Sequence, residues 1–271
     1  MATSTIGNPF EGIQNVREAS TISTTDRLKI AIVGKPKSGK SWFGASGPKP
    51  LLLYDFDDRA ESVAGKEGVF VKTLIDTNQA SPTAMKSVES DLSTFKYAKA
   101  QGKPIPATFV FDTITNMLKC MENEAFSQES SYYRHLKAGA TRSIRVRKNW
   151  DAFNAVERYL YYIATEFGQL GNLIFIFHSR PEKDKTESTS EKTVYTDQIT
   201  VEPQGYANIL TTFNEVYRIE ITPENKYKVT CKANYEFTAS TTLLIDAEEE
   251  PDIMKLIAKH HQRLKERNAK I

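Results

Sequence analysis

The run Gly34-Lys35-Pro36-Lys37-Ser38-Gly39-Lys40-Ser41 sets two glycines five positions apart and follows the second at once with lysine and serine. This spacing suits a grip on a polyphosphate. Glycine accepts positive φ and lets a ligand approach the backbone closely. The amides of residues 37–41 can then point at phosphate oxygens, while Pro36 has no N–H to offer. Lys40 reaches the β- and γ-phosphates and the Ser41 hydroxyl ligates Mg²⁺. Lys35, Pro36, Lys37, Ser38 and Trp42 complete the binding stretch. The chemistry implied is binding of ATP with Mg²⁺; the plainer alternative is a glycine turn with surface lysines.

Other candidates stand at the ends of apolar runs. "TFVFD" ends in Asp112, an acid suited to holding Mg²⁺ through a water or, more simply, to capping the helix expected from Thr113. "YDFDDRAES" offers Asp55, Asp57 and Asp58. Any of them could orient or deprotonate a water, and a polar strand end with a helix cap explains them equally well. His178 ends "LIFIFH". It is either a structural histidine or a group that bonds a γ-phosphate and signals to the polar stretch after it.

These residues need strands to carry them. "LKIAIVG", "PLLLYDFDD", "GVFVKTL", "ATFVFD" and "NLIFIFHS" read as short strands, several of them buried. Helical spacing runs from Pro82 to about Lys99 (Met85, Val88, Leu92, Phe95) and through "WDAFNAVERYLYYIATEFGQLG". "NEVYRIEIT" and "KYKVTCKAN" alternate at period two around "PEN", which predicts an antiparallel hairpin. Residues 179–198 are polar and patternless, expected as a mobile loop. Strands alternating with helices predict an α/β fold with a mostly parallel sheet flanked by helices. The expected units are a flexible tail (1–26), an ATPase domain (27–246) and a C-terminal helix (247–271) with a basic end at Arg263, Lys265, Arg267 and Lys270.

A net charge of +2 excludes a global electrostatic field, so a polyanion would need a local patch. Residues 130–150 supply one, with six Lys or Arg, among them Arg142, Arg145, Arg147 and Lys148, and no acid. Tyr132, Tyr133 and Trp150 are interleaved and could stack on unpaired bases; a solvated basic face is the simpler alternative. Cys120 and Cys231 lie far apart with no Cys/His cluster, which excludes a zinc motif and fits a cytoplasmic setting. No apolar run approaches a membrane span, and the N-terminus lacks the pattern of a secretory signal.

The order "GKPKSGKS", "YDFD", "FVFDT", a tryptophan-led helix and "IFIFHS" resembles the RecA-like P-loop ATPases, and most closely the short phage-encoded group linked to single-strand annealing and recombination. The resemblance spans roughly residues 28–237. It implies a RecA-like core and carries Gly34, Gly39, Lys40 and Ser41 onto the Walker A loop and Asp112 onto Walker B. Asp57 falls at the catalytic acid, usually Glu in that family, and His178 at the γ-phosphate sensor. Lys232 falls at a lysine that reaches a neighbour's nucleotide, although the arginine that often follows is replaced by Tyr235. The resemblance further implies single-stranded DNA as partner, a single-strand binding protein beside it, a ring or filament of identical chains, and no membrane. The expectation is a DNA-stimulated, Mg-ATP-dependent ATPase that promotes annealing or strand exchange. The alternatives are a nucleotide-binding annealing module with little hydrolysis and, further off, a P-loop kinase or motor.

Overall fold

The computed structural model describes residues 25–76, 81–127, 150–183, 195–199, 204–233 and 239–269. The strands are β1 (Lys29–Gly34), β2 (Leu51–Asp55), β3 (Val69–Thr73), β4 (Thr108–Asp112), β5 (Asn172–Lys183), β6 (Tyr195–Ile199), β7 (Glu215–Ile221), β8 (Tyr227–Thr230) and β9 (Glu248–Glu249). The α-helices are α1 (Lys40–Gly44), α2 (Ala84–Ala100), α3 (Ile114–Ser127), α4 (Trp150–Leu170) and α5 (Ile253–Asn268).

The sheet runs in the order β3-β2-β4-β5-β1-β7-β8-β9, with β6 paired to β5 off this path. From β3 to β7 every pairing is parallel; β7–β8 and β8–β9 are antiparallel. The expected α/β fold and the β7–β8 hairpin are therefore both present.

A parallel sheet must be covered on both faces, and its central strands become apolar throughout. Leu173, Ile174, Phe175, Ile176 and Phe177 of β5 are all fully buried. Leu173, Phe175 and Phe177 pack with Met85, Val88 and Leu92 of α2, Met117 and Met121 of α3, and Leu160, Ile163 and Phe167 of α4. Ile174 and Ile176 pack on the other face with Phe43 of α1 and with Ile253 and Leu256 of α5. The period of α4 is thus the stripe that its spacing predicted. Ile253 and Leu256 thus tie α5 to this second core. Its cap Asp252 accepts from the Lys255 amide at 3.1 Å, and the Ile253 amide donates to Ser46 Oγ at 2.8 Å, close after α1.

One expectation needs correction. β5 continues past His178 to Lys183, and Ser179–Lys183 pairs antiparallel with β6, so both ends of the presumed 179–198 loop are strand. Period-two patterning is written into a sequence only where one face of a strand meets a core. Residues 180–198 hold too few apolar side chains to show an alternation, so the signal was missing. Among the described residues no helix is long and apolar enough to cross a membrane.

Candidate active site

Register sets the site. Gly34 of β1 lies opposite His178 of β5, and Asp55 of β2 lies opposite Asp112 of β4. The carboxyl ends of these parallel strands therefore open together, where α/β sheets hold their ligands. The resulting cleft has a volume of about 510 Å³, with residues 36–42 on one wall and Asp55, Asp57, Asp112, Thr113 and His178 on the other.

The first wall is made by backbone. A Cβ at Gly34 would sit 2.5 Å from the Ile219 carbonyl oxygen and 2.7 Å from Ser38 Oγ, so β1 turns into the loop only because glycine stands there. Lys37 and Gly39 both take positive φ, at 64° and 86°. α1 follows at once, and Lys40, Ser41 and Trp42 of its first turn line the cleft. Lys40 is 5% exposed, and its Nζ donates to the Lys35 carbonyl at 2.6 Å. Burial pulls its pKa down to about 8 against the attraction of Asp112 and Asp57. Ser38 Oγ is buried beside the loop with no hydrogen-bond partner among the described residues.

Asp112 is 8% exposed. Burial lifts its pKa to about 6, opposed by a hydrogen bond with Ser41 and by the charge of Lys40, and reinforced by the charge of Asp57. The peptide joining Asp112 to Thr113 is cis.

The three acids that residue pattern alone left open, of which the family resemblance favoured Asp57, take different places. Asp55 spends its carboxylate on its own turn, accepting the Asp57 amide on Oδ1 and the Arg59 amide on Oδ2, each at 2.9 Å. Asp58 is exposed, takes positive φ and does not line the cleft. Asp57 faces inward. Its Oδ1 accepts from Thr113 Oγ1 at 3.0 Å and from Asn116 Nδ2, and its Oδ2 lies 3.9 Å from His178 Nε2. Burial pushes its pKa up, but His178, Thr113 and Asn116 outweigh this and leave it below the ordinary aspartate value. His178 keeps its Nδ1 buried without a hydrogen-bond partner among the described residues.

The predicted residues Pro36, Lys37, Ser38, Gly39, Lys40, Ser41, Trp42, Asp57, Asp112 and His178 meet at this cleft, and Lys35 contributes its carbonyl. Lys232 is exposed and does not line it. Arg142, Arg145, Arg147 and Lys148 lie outside the described residues. Sequence reasoning missed Asn116, although its place three residues after Thr113 puts both on one helix face. It also missed Tyr227, which is half-exposed on β8 with its ring 3.0 Å from where a Gly39 Cβ would stand. No spacing in the sequence links the hairpin to the loop.

The donor set fits a Mg²⁺-nucleotide. Ser41 and Asp112 both line the cleft and the Ser41 hydroxyl favours the ionised Asp112, a hydroxyl and a carboxylate suited to a hard cation. Among the described residues no group of three or more His, Cys, Asp or Glu could hold a metal alone, so phosphate oxygens and water would complete the shell. The orphaned Ser38 hydroxyl and the buried Lys40, whose pKa burial lowers to about 8, are groups that phosphate oxygens would satisfy. No curated protein matches the chain. Residues 26–249 match the family model described as an AAA domain, and with the phosphate loop, the buried acid and the parallel sheet in place, the chain belongs to this family of P-loop ATPases.

Proposed function

We propose that the chain hydrolyses Mg-ATP in this cleft, that single-stranded DNA stimulates the hydrolysis, and that the nucleotide-bound state holds strands for annealing or exchange in recombination or replication of the phage type. One observation carries the hydrolysis: Asp57 is presented across the cleft from Lys40 with its pKa held low, so at neutral pH it is an ionised acceptor. Lys40 and the loop amides grip the β- and γ-phosphates, and Ser41 and Asp112 would hold Mg²⁺, whose charge offsets what builds on the phosphoryl oxygens. A water beside Asp57 Oδ2 attacks the γ-phosphorus, its proton passes to that carboxylate, and the bond to the β-phosphate oxygen breaks. His178, 3.9 Å from the same oxygen, is placed to sense the phosphate before and after cleavage. It also stands at the base of the β5–β6 ribbon, which offers a route for that signal.

The DNA half rests on the basic, aromatic run of residues 130–150 and on the family resemblance, which also suggests self-assembly with Lys232 at a neighbour's nucleotide. Steady-state ATPase rate with and without single-stranded DNA, across salt, tests both halves. The expected result is hydrolysis that rises with DNA and loses that stimulation as salt rises. Hydrolysis indifferent to DNA removes the DNA half, and no hydrolysis under any condition removes the enzyme.

A second reading, an annealing module with little turnover, is favoured by the short Asp57 side chain, one oxygen of which is already spent on Thr113 and Asn116. Lys40→Ala separates the two: annealing survives in the module and is lost in the ATP-driven protein.

A further inference from the structure

Asp57 does not hold its own orientation. It sits past the end of β2 in a turn tied by Asp55, and its carboxylate is reached by side chains from another element. Thr113 precedes α3 and Asn116 lies in its first turn, and both donate to the same oxygen, Oδ1. The Asn116 amide is itself oriented. Its Oδ1 accepts Lys119 Nζ at 2.7 Å, so its Nδ2 must face Asp57. An amide has one acceptor end and one donor end, and an ionised carboxylate can only accept, so this pairing fixes the amide without ambiguity. The start of α3 adds the positive end of its dipole to the same side.

We infer that Asn116 is a positioning residue for hydrolysis: it pins Oδ1 of Asp57, leaving Oδ2 as the oxygen presented to water and to His178, and Lys119 locks the amide that does so. This rests on Asp57 being the water-activating group. Without Asn116 only the Thr113 hydroxyl would hold Oδ1, and the carboxylate would present Oδ2 at a shifting distance. Loss of alignment of that order costs up to about 100-fold in rate. Nucleotide affinity should be untouched, because Asn116 does not line the cleft.

Single-turnover hydrolysis and nucleotide affinity would be measured on the full chain for Asn116→Ala, Asn116→Gln, Asn116→Asp, Lys119→Ala and Asp57→Ala, and for Asp57→Ala combined with Asn116→Ala. Asn116→Ala is expected to lower the hydrolysis rate about 10- to 100-fold with affinity within about twofold. Asn116→Gln keeps the donor and should recover part of the rate. Asn116→Asp, nearly the same shape, should lose at least as much as alanine because it swaps a donor for a like charge. Lys119 is exposed, so water can replace it, and its loss should cost only about two- to fivefold. In the Asp57→Ala background, Asn116→Ala should cost nothing further, as expected of residues that act as a unit. Asp57→Ala inactive with Asn116→Ala and Asn116→Asp both at full rate overturns the positioning role alone. An equal loss from Asn116→Ala in both backgrounds assigns it to general structure and overturns the role too. Full activity in Asp57→Ala removes the water-activating reading and the Asn116 inference with it.

Discussion

The two walls of the cleft are built in different ways. The phosphate wall is one continuous segment, residues 36–42, whose working groups are largely backbone and whose shape depends on Gly34 meeting the Ile219 carbonyl and Gly39 taking positive φ. The opposite wall is assembled from side chains on three separate elements, Asp57 after β2, Thr113 just before α3 and His178 on β5, with Asn116 of α3 holding Asp57 from behind. Local sequence dictates the first, and tertiary register dictates the second. The first should therefore fail all at once when broken, and the second in graded steps.

The largest effect is expected on the phosphate wall. Lys40→Ala removes the buried ammonium that faces Asp112 and Asp57, and it should abolish both hydrolysis and detectable ATP binding by calorimetry. Gly34→Ala drives a Cβ to 2.5 Å from backbone rather than from a flexible side chain, so the strand itself must move. Denaturant unfolding should show a loss of about 1–3 kcal/mol, with ATP binding lost alongside. On the other wall, His178→Ala removes a partner of Asp57 but leaves Thr113 and Asn116 in place. Hydrolysis should fall by about tenfold, less than the 10²–10⁴ typical of losing a general base outright. Smaller still is Tyr227→Ala, which removes a half-exposed ring from beside Gly39 at the cleft and should weaken ATP binding by only a few-fold.

The walls also respond differently to pH. Burial raises Asp112 to about 6, so the folded chain keeps a proton that an unfolded aspartate would release. Its contribution to stability is complete below about pH 4 and is lost as pH rises through 6. Holding Mg²⁺ needs the ionised form, so cation binding pulls the other way. Thermal melts should show Mg-ATP stabilising the chain strongly at pH 8 and weakly at pH 5. Asp57, with its pKa held low, stays ionised across that span.

The same contrast explains what could be read in advance. The eight residues from Gly34 to Ser41 announce themselves because the loop is a local structure with its own spacing. The apolar strands and the stripe on α4 were legible because burial imposes a period. Residue pattern alone could not tell Asp55 from Asp57, and only the family resemblance singled out Asp57, since which carboxylate ties the turn and which faces the cleft depends on partners in α3 and β5. Asn116 was hidden for the same reason, its partner lying 59 positions away in the chain. The β5–β6 ribbon left no trace because residues 180–198 hold too few apolar side chains to show a period, and antiparallel backbone pairing needs none in particular.

The central claim is that this cleft hydrolyses Mg-ATP with Asp57 taking the proton from water. Single-turnover hydrolysis by Asp57→Asn, with ATP affinity measured on the same protein, tests it most directly. The substitution keeps the shape and removes the base. The account predicts affinity within about twofold of the parent chain and hydrolysis slower by about 100-fold or more. Hydrolysis at the parent rate would contradict it.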